Sequence, residues 1–340
     1  MEPVIYARRL GKTFRNGAVA VNGCDLQVAA GEVYGLIGRN GAGKTTALKL
    51  LMGLLRPDTG EACVLGRSLW DAPREHRQRV AYVSQGQQVP DWMSLAELGR
   101  YAAHFYETWD DDLLKEHARR WELPLNVAIA KLSGGNQRLA ALSVALATRP
   151  EVLLLDEPAA GLDPIARREL NACLIDVLMR GDGCTILLST HLLGDLERLA
   201  TQVGIMDRGR IVAAGAVEDW QRTMRRVQVV FAENAAPADF AIPGAIKSQT
   251  LGPVVTALAR ITDEAQLNGV RALPGVRVNV FPLTLEELFV DWFREPAAAS
   301  SAQRIQISGQ PGFPAPVPSH QSVGNDVAGA VSPAARVRDE

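Results

Sequence analysis

The run Gly38-Arg39-Asn40-Gly41-Ala42-Gly43-Lys44-Thr45-Thr46 fits the spacing G-x-x-x-x-G-K-[ST] in full. That spacing suits one task, holding a chain of phosphates. Gly38, Gly41 and Gly43 carry no Cβ, so the backbone can curl and turn its N–H groups toward phosphate oxygens. A helix beginning near Lys44 adds the partial positive charge of its N-terminus. Lys44 supplies a mobile ammonium for β- and γ-phosphates, and the Thr45 hydroxyl is a ligand for Mg²⁺. Arg39 lies too early in the loop to take over from Lys44.

Two later stretches add to this. Val152 to Leu155 is an apolar run that ends in Asp156-Glu157. Period-two alternation predicts the adjacent acids on opposite sides, so they can take different jobs. Asp156 can hold the Mg²⁺ hydration shell, while Glu157 orients or deprotonates an attacking water. A strand ending in two acids is ordinary by itself; downstream of a phosphate loop it reads as the hydrolytic half of the same site. Leu132-Ser133-Gly134-Gly135-Asn136-Gln137 opens an alanine- and leucine-rich helix. Ser133 with two glycines allows close backbone approach and makes a second anion site. A plain helix cap would need only one of those glycines.

The elements that must position these groups are legible as hydrophobic periodicity. Short β-rich runs lie at Val4 to Tyr6, Cys24 to Val28 and Val33 to Ile37, with turns at Gly17 and Gly31. Residues 61–66 and 80–84 predict further strands, as do Val152 to Leu155, Thr185 to Ser189 and Val203 to Met206. Between residues 95 and 145 the pattern is helical, with Leu95, Leu98, Tyr101, Ala102 and Phe105 on one face and Leu113, Leu114, His117 and Ala118 on another. Beyond Gly215 the composition shifts. Val227 to Phe231 and Val276 to Phe281 predict strands, Gly252 to Arg260 a helix, and Leu285 onward a last amphipathic helix capped by Thr284. Residues 296–340 are rich in Pro, Ser, Ala, Gly and Gln and predict a disordered tail.

In this order the motifs resemble those of the ATP-binding subunits of ATP-binding-cassette (ABC) transporters, over residues 4–215. Gln85, after Val83-Ser84, matches the family's Q-loop glutamine. Ser133-Gly134-Gly135 matches the signature, here continuing Asn136-Gln137 where the commonest form has a single Gln. Asp156-Glu157 is the Walker B pair, Gly161-Leu162-Asp163-Pro164 the D-loop region, and His191 the switch histidine. The resemblance implies an α/β fold: a P-loop NTPase cassette with a RecA-like core. On this reading residues 1–215 are the ATP-binding domain, with a helical subdomain at about 90–145. Residues 216–295 form a small C-terminal α+β module, and 296–340 the tail.

The resemblance also implies roles. ATP contacts fall to the loop residues Gly38, Arg39, Asn40, Gly41, Ala42, Gly43, Lys44, Thr45 and Thr46. Thr45, Gln85 and Asp156 bind Mg²⁺; Glu157 is the catalytic base, and His191 positions the water. Phe14 falls where the family stacks an aromatic on adenine, a contact that a π-face can make. Each ATP lies between one subunit's loop and the other subunit's Ser133, Gly134 and Gly135, with Asp163 at the interface. One set of motifs therefore needs a second cassette, most simply in a homodimer. Separate transmembrane permease subunits are implied too, docking on Gly86 to Trp92. Phe105-Tyr106 with Trp109-Asp110, and the ending Leu283 to Phe289, resemble bacterial exporters; an importer ATPase is the alternative and a soluble non-transport ATPase a more distant one.

Composition fits this reading. With 340 residues, 47% hydrophobic and 22% charged, the chain is long enough for about two domains. A formal charge of −2 gives no attraction to nucleic acid, which is not expected as a partner. Cys24, Cys63, Cys173 and Cys184 have no paired spacing and predict reduced thiols. No leader pattern and no spanning stretch is expected, so the chain is placed in the cytoplasm, peripheral to the membrane through its permease.

Overall fold

A computed structural model describes residues 3–86, 89–179, 183–232, 236–237 and 239–293. The expected tail at 296–340 lies outside them. Strands β1 (Ile5–Thr13), β2 (Val19–Val28), β3 (Val33–Ile37), helix α1 (Lys44–Leu51) and β4 (Thr59–Val64) open the chain. The short helix α2 (Arg74–Arg77) leads to β5 (Val80–Val83). Helices α3 (Leu95–Ala103), α4 (Asp111–Arg120) and α5 (Gly134–Ala147) follow without an intervening strand. Then β6 (Val152–Asp156), α6 (Pro164–Met179), β7 (Thr185–Thr190), α7 (Leu193–Leu199), β8 (Gln202–Asp207) and β9 (Arg210–Ala216) complete the central layer.

The central sheet runs β5-β6-β7-β3-β8-β9, parallel except for the β8–β9 pair. Its inner strands β3, β6 and β7 are buried at every position because both faces are covered. Alternation sorts them. Leu153, Leu155, Ile186 and Leu188 join the core beneath α5, α6 and α7, whereas Val152, Leu154, Leu187 and Leu36 join the one containing α1. A second sheet, β2-β1-β4, is antiparallel. It shares the α1 core through Ile5, Leu10, Val21 and Val64.

Helix α8 (Val217–Thr223) leads into a third sheet built from β10 (Met224–Phe231), β11 (Ala245–Leu251), β12 (Val254–Arg260) and β13 (Val276–Pro282), in the order β11-β12-β10-β13. The short helix α9 (Asn268–Arg271) and the closing helix α10 (Leu285–Phe293) complete the described chain. The helix expected at Gly252 to Arg260 is instead strand β12. Gly252, at φ +57°, and Pro253 form a two-residue turn between the paired residues Leu251 and Val254. Val255, Ala257 and Ala259 then alternate into the sheet's own core. The alanines suggested a helix, but β-branched Val254, Val255 and Thr256 and the tight turn decide for a strand. Strands β9 and β11 were not anticipated. Helix α10 carries the expected cap: the Thr284 Oγ1 accepts from the Glu287 N–H at 3.2 Å, and Glu287 Oε2 accepts from the Thr284 N–H at 3.0 Å. Leu285 and Leu288 pack into the core beneath α5 to α7.

Candidate functional site

The neighbours β6, β7 and β3 end side by side, and each ending carries chemistry. Open parallel sheets bind ligands at these carboxyl ends. After β3 the loop 38–43 bends sharply, with Gly41 at φ +80° and Gly43 at φ +106°. A Cβ at Gly38 would come within 2.5 Å of the Met206 carbonyl oxygen, and one at Gly43 within 2.2 Å of that of Ala20. Glycine is therefore required by conformation and by space at Gly43. Arg39, Asn40 and Gly41 are exposed, whereas Ala42 is buried.

Lys44 is only 6% exposed, and its Nζ donates to the Gly38 carbonyl at 2.7 Å. It also lies 3.5 Å from Glu157 Oε1, an ion pair with both side chains buried. Thr45 Oγ1 donates to Asp156 Oδ1 at 3.1 Å, and Ser189 Oγ donates to the same oxygen at 2.6 Å. The second oxygen of Asp156 is buried and has no hydrogen-bond partner among the described residues. A buried carboxylate oxygen without a partner, beside a threonine hydroxyl, fits a hard divalent cation and its water shell. The Tyr82 hydroxyl is buried near this carboxylate. Burial first, then the Asp156 charge, pushes its pKa well above the ordinary phenol value.

Glu157 is 4% exposed and takes a left-handed backbone, φ +52°. Its N–H donates to the Ser189 carbonyl at 3.0 Å, and its Oε2 accepts from His191 Nδ1 at 2.6 Å. The two acids do face different partners, Thr45 and Ser189 for one, Lys44 and His191 for the other. The backbone twist at Glu157, beyond the last strand residue, separates them; pleat alternation alone does not. An uncommon φ in a buried acid is strain of the kind held at functional sites.

Lys44, Thr45, Asp156, Glu157 and His191 are thus brought together by direct contacts. The Gly38 carbonyl joins it through Lys44, whereas Phe14, Gln85 and the signature residues have other contacts. Phe14 is 40% exposed at the tip of the β1–β2 hairpin. Ser133 caps α5, its Oγ accepting from the Asn136 N–H at 3.2 Å. Nothing within 4 Å would meet a Cβ at Gly134, whereas one at Gly135 would lie 3.3 Å from Leu162 Cδ2. The Gln85 carbonyl accepts from Arg138 Nη2 at 3.3 Å, and a Cβ at Gly161 would lie 3.4 Å from Arg138 Nη1. Asp163 caps α6 through the N–H groups of Ile165 and Ala166. Sequence reading missed Ser189, Tyr82 and Arg138. Ser189, two residues before His191, could have been found as a hydroxyl at a strand end; Tyr82 and Arg138 carry no local mark.

The family model described as ABC transporter matches residues 21–160. The Nod factor export ATP-binding protein I of Burkholderia lata is 41% identical over 219 residues, which span 62% of this chain and 69% of that protein. The protein of the same name in Burkholderia orbicola is 34% identical over 290 residues, spanning 80% of this chain and 91% of that protein. This chain belongs to the ATP-binding subunits of ABC transporters. A solved ATP binding subunit of an ABC transporter is 30% identical to it, with a TM-score of 0.59 over 64% of this chain and 92% of that one. A dimeric cassette in a post-hydrolysis state, bound to ADP and Pi, shares the fold at 21% identity, with a TM-score of 0.57 over 62% of this chain and 98% of the other. The α/β P-loop NTPase cassette expected from the motifs is the fold observed. As an ABC subunit the chain binds ATP, and its activity is ATP hydrolysis coupled to transport.

Proposed function

We propose that this ABC subunit powers an exporter, working as a homodimer on the cytoplasmic face of the membrane beneath separate permease subunits. The observation that carries the catalytic part is the contact cluster of Lys44, Glu157 and His191. The loop amides and Lys44 bind the phosphates. Glu157, oriented by His191, accepts the proton of the attacking water as it closes on the γ-phosphate in line. His191, whose side chain is 52% exposed, reaches out of this cluster to the γ-phosphate. Thr45 and Asp156 would hold Mg²⁺ with Gln85, and the bound cation would neutralise charge on the β- and γ-phosphate oxygens.

The homodimer reading is supported by the second glycine-rich helix start. Among the described residues nothing gives Gly134 a steric reason to lack a side chain. A close approach from outside supplies one, namely the ATP held by a partner's phosphate loop. The permease reading is supported by a cleft of about 410 Å³ between β5 and α5, lined by Leu54, Ser84, Gln85, Val89, Tyr106 and Arg138. Trp92, 73% exposed, stands in the stretch that follows Gln85. Of the docking stretch 86–92, residues 87 and 88 lie outside the described ones. Among the described residues no helix is long and apolar enough to cross a membrane. Export is supported by the similarity to Nod factor export ATP-binding proteins, which extends over 80% of this chain and so beyond the cassette. Residues 1–215, 216–295 and 296–340 are proposed as cassette, module and tail.

Glu157→Gln tests the catalytic assignment. The variant keeps size and loses the proton acceptor, so hydrolysis should fall at least about hundredfold while ATP still binds. Hydrolysis near the unmodified rate would remove Glu157 from the base role.

A further inference from the structure

Asp58 follows Pro57 in the turn before β4, with no motif to mark it. Its contacts all reach the end of β1. One carboxylate oxygen accepts from Lys12 Nζ at 2.8 Å and the other from the Thr13 N–H at 2.7 Å. The Asp58 N–H donates to the Gly11 carbonyl at 2.9 Å, and Lys12 Nζ donates again to the Arg56 carbonyl at 2.7 Å. Gly11 lies flush against this turn, since a Cβ there would come within 2.2 Å of Thr59 Oγ1. Three successive residues of β1 are therefore clasped to residues 56–59.

The next residue is Phe14. Its N–H donates to the Ala18 carbonyl and its carbonyl accepts from the Gly17 N–H, both at 2.9 Å. Two residues beyond Ala18, the Ala20 carbonyl lies against Gly43 of the phosphate loop. The hairpin tip is thus held to the phosphate loop along β2 and to the Asp58 turn along β1. The Lys12 hydrogen bond and then the Thr13 N–H keep the Asp58 carboxyl below the usual carboxylate range, so the clasp is charged at neutral pH.

We propose that Asp58 is a positioning residue for the nucleotide base, fixing the Thr13–Phe14 backbone so that the Phe14 ring meets the adenine face without having to be ordered on binding. The proposal rests on the reading that Phe14 stacks on adenine. A ring at a loose hairpin tip would lose conformational freedom when ATP arrives, and the clasp removes that cost from the binding step. The hydrogen bonds of Asp58 go to Gly11, Lys12 and Thr13 and not to the phosphate loop or the hydrolytic cluster, so its effect is confined to the base end of the ligand.

The test uses the full chain with Phe14→Ala, Asp58→Ala, Asp58→Asn and the Phe14→Ala/Asp58→Ala double variant. The readouts are steady-state hydrolysis, Mg²⁺-tripolyphosphate binding, and circular dichroism to confirm folding at the assay temperature. Phe14→Ala should raise KM for ATP about tenfold. Asp58→Ala should raise it about threefold to tenfold with kcat within about twofold. Asp58→Asn, which keeps an acceptor for the Thr13 N–H, should fall between Asp58→Ala and the unmodified chain. Tripolyphosphate, which has no base, should bind all four variants equally. In the Phe14→Ala background, Asp58→Ala should add less than about a twofold change, because it acts through that ring. A normal KM for Asp58→Ala alongside a raised KM for Phe14→Ala overturns the proposal alone, as does weakened tripolyphosphate binding or full additivity. A normal KM for Phe14→Ala overturns the stacking reading and this proposal with it.

Discussion

Two helices of this cassette begin with glycine-rich turns, and the two starts are built differently. At α1, Gly43 has φ +106°, its missing Cβ leaves room for the Ala20 carbonyl, and the next side chain, Lys44, is buried. Every one of those demands comes from the same chain. At α5, Gly134 has no unusual φ and is exposed, and no described residue comes within 4 Å of where its Cβ would be. Its helix cap is made by Ser133 alone. Glycines at the first start make the fold possible; the glycine at the second leaves a surface uncovered. The difference teaches that the phosphate loop answers demands of its own subunit, whereas the start of α5 fits the proposed role of a half-site completed by another molecule.

The largest effect on this comparison comes from the α1 side. Lys44→Ala should lower kcat/KM at least about hundredfold in a phosphate-release assay, since the buried cation paired with Glu157 is lost. It also leaves the Glu157 carboxylate buried without its ion pair, so thermal unfolding should move down in the same sample. Gly43→Ala should destabilise the fold by about 2–4 kcal/mol in a urea titration, from a left-handed φ combined with a backbone clash. Gly134→Ala sharpens the contrast. Its stability should stay within about 1 kcal/mol of the unmodified chain, tending upward because alanine suits a helix better, while ATP turnover falls about tenfold or more. A destabilised Gly134→Ala would make the two starts alike and break the comparison. The smallest effect lies far from both: Thr284→Ala removes the α10 cap, should cost about 1 kcal/mol, and should leave turnover unchanged.

The phosphate loop was legible in sequence because its glycines answer local demands, a tight turn and a close backbone, which spacing alone conveys. Val152 to Asp156 was legible for a similar reason, as an apolar run too short for a helix and buried on both faces. The partners of those motifs were not. Ser189 binds Asp156 across 33 residues of sequence, and the Tyr82 hydroxyl lies near it on a third strand. Only the strand order β5-β6-β7-β3 brings them together, and periodicity does not encode strand order. The left-handed turn at Glu157 was hidden as well, because a glutamate carries no sign of its φ. In the C-terminal module, Val254 to Arg260 was misread because alanine is at home in a helix, and burial of Ala257 and Ala259 against a sheet is decided by neighbours distant in sequence.

The most direct test of a signature that works only in another molecule is the mass of the Glu157→Gln variant, measured by size-exclusion chromatography with light scattering. Without nucleotide it should run as a monomer. With MgATP it should run as a dimer, because the γ-phosphate joining one subunit's loop to the other's Ser133-Gly134-Gly135 is no longer cleaved. Adding Ser133→Arg should return it to a monomer that still binds ATP. A Glu157→Gln chain that binds MgATP at saturation and stays monomeric, or a dimer that survives Ser133→Arg, would contradict the account.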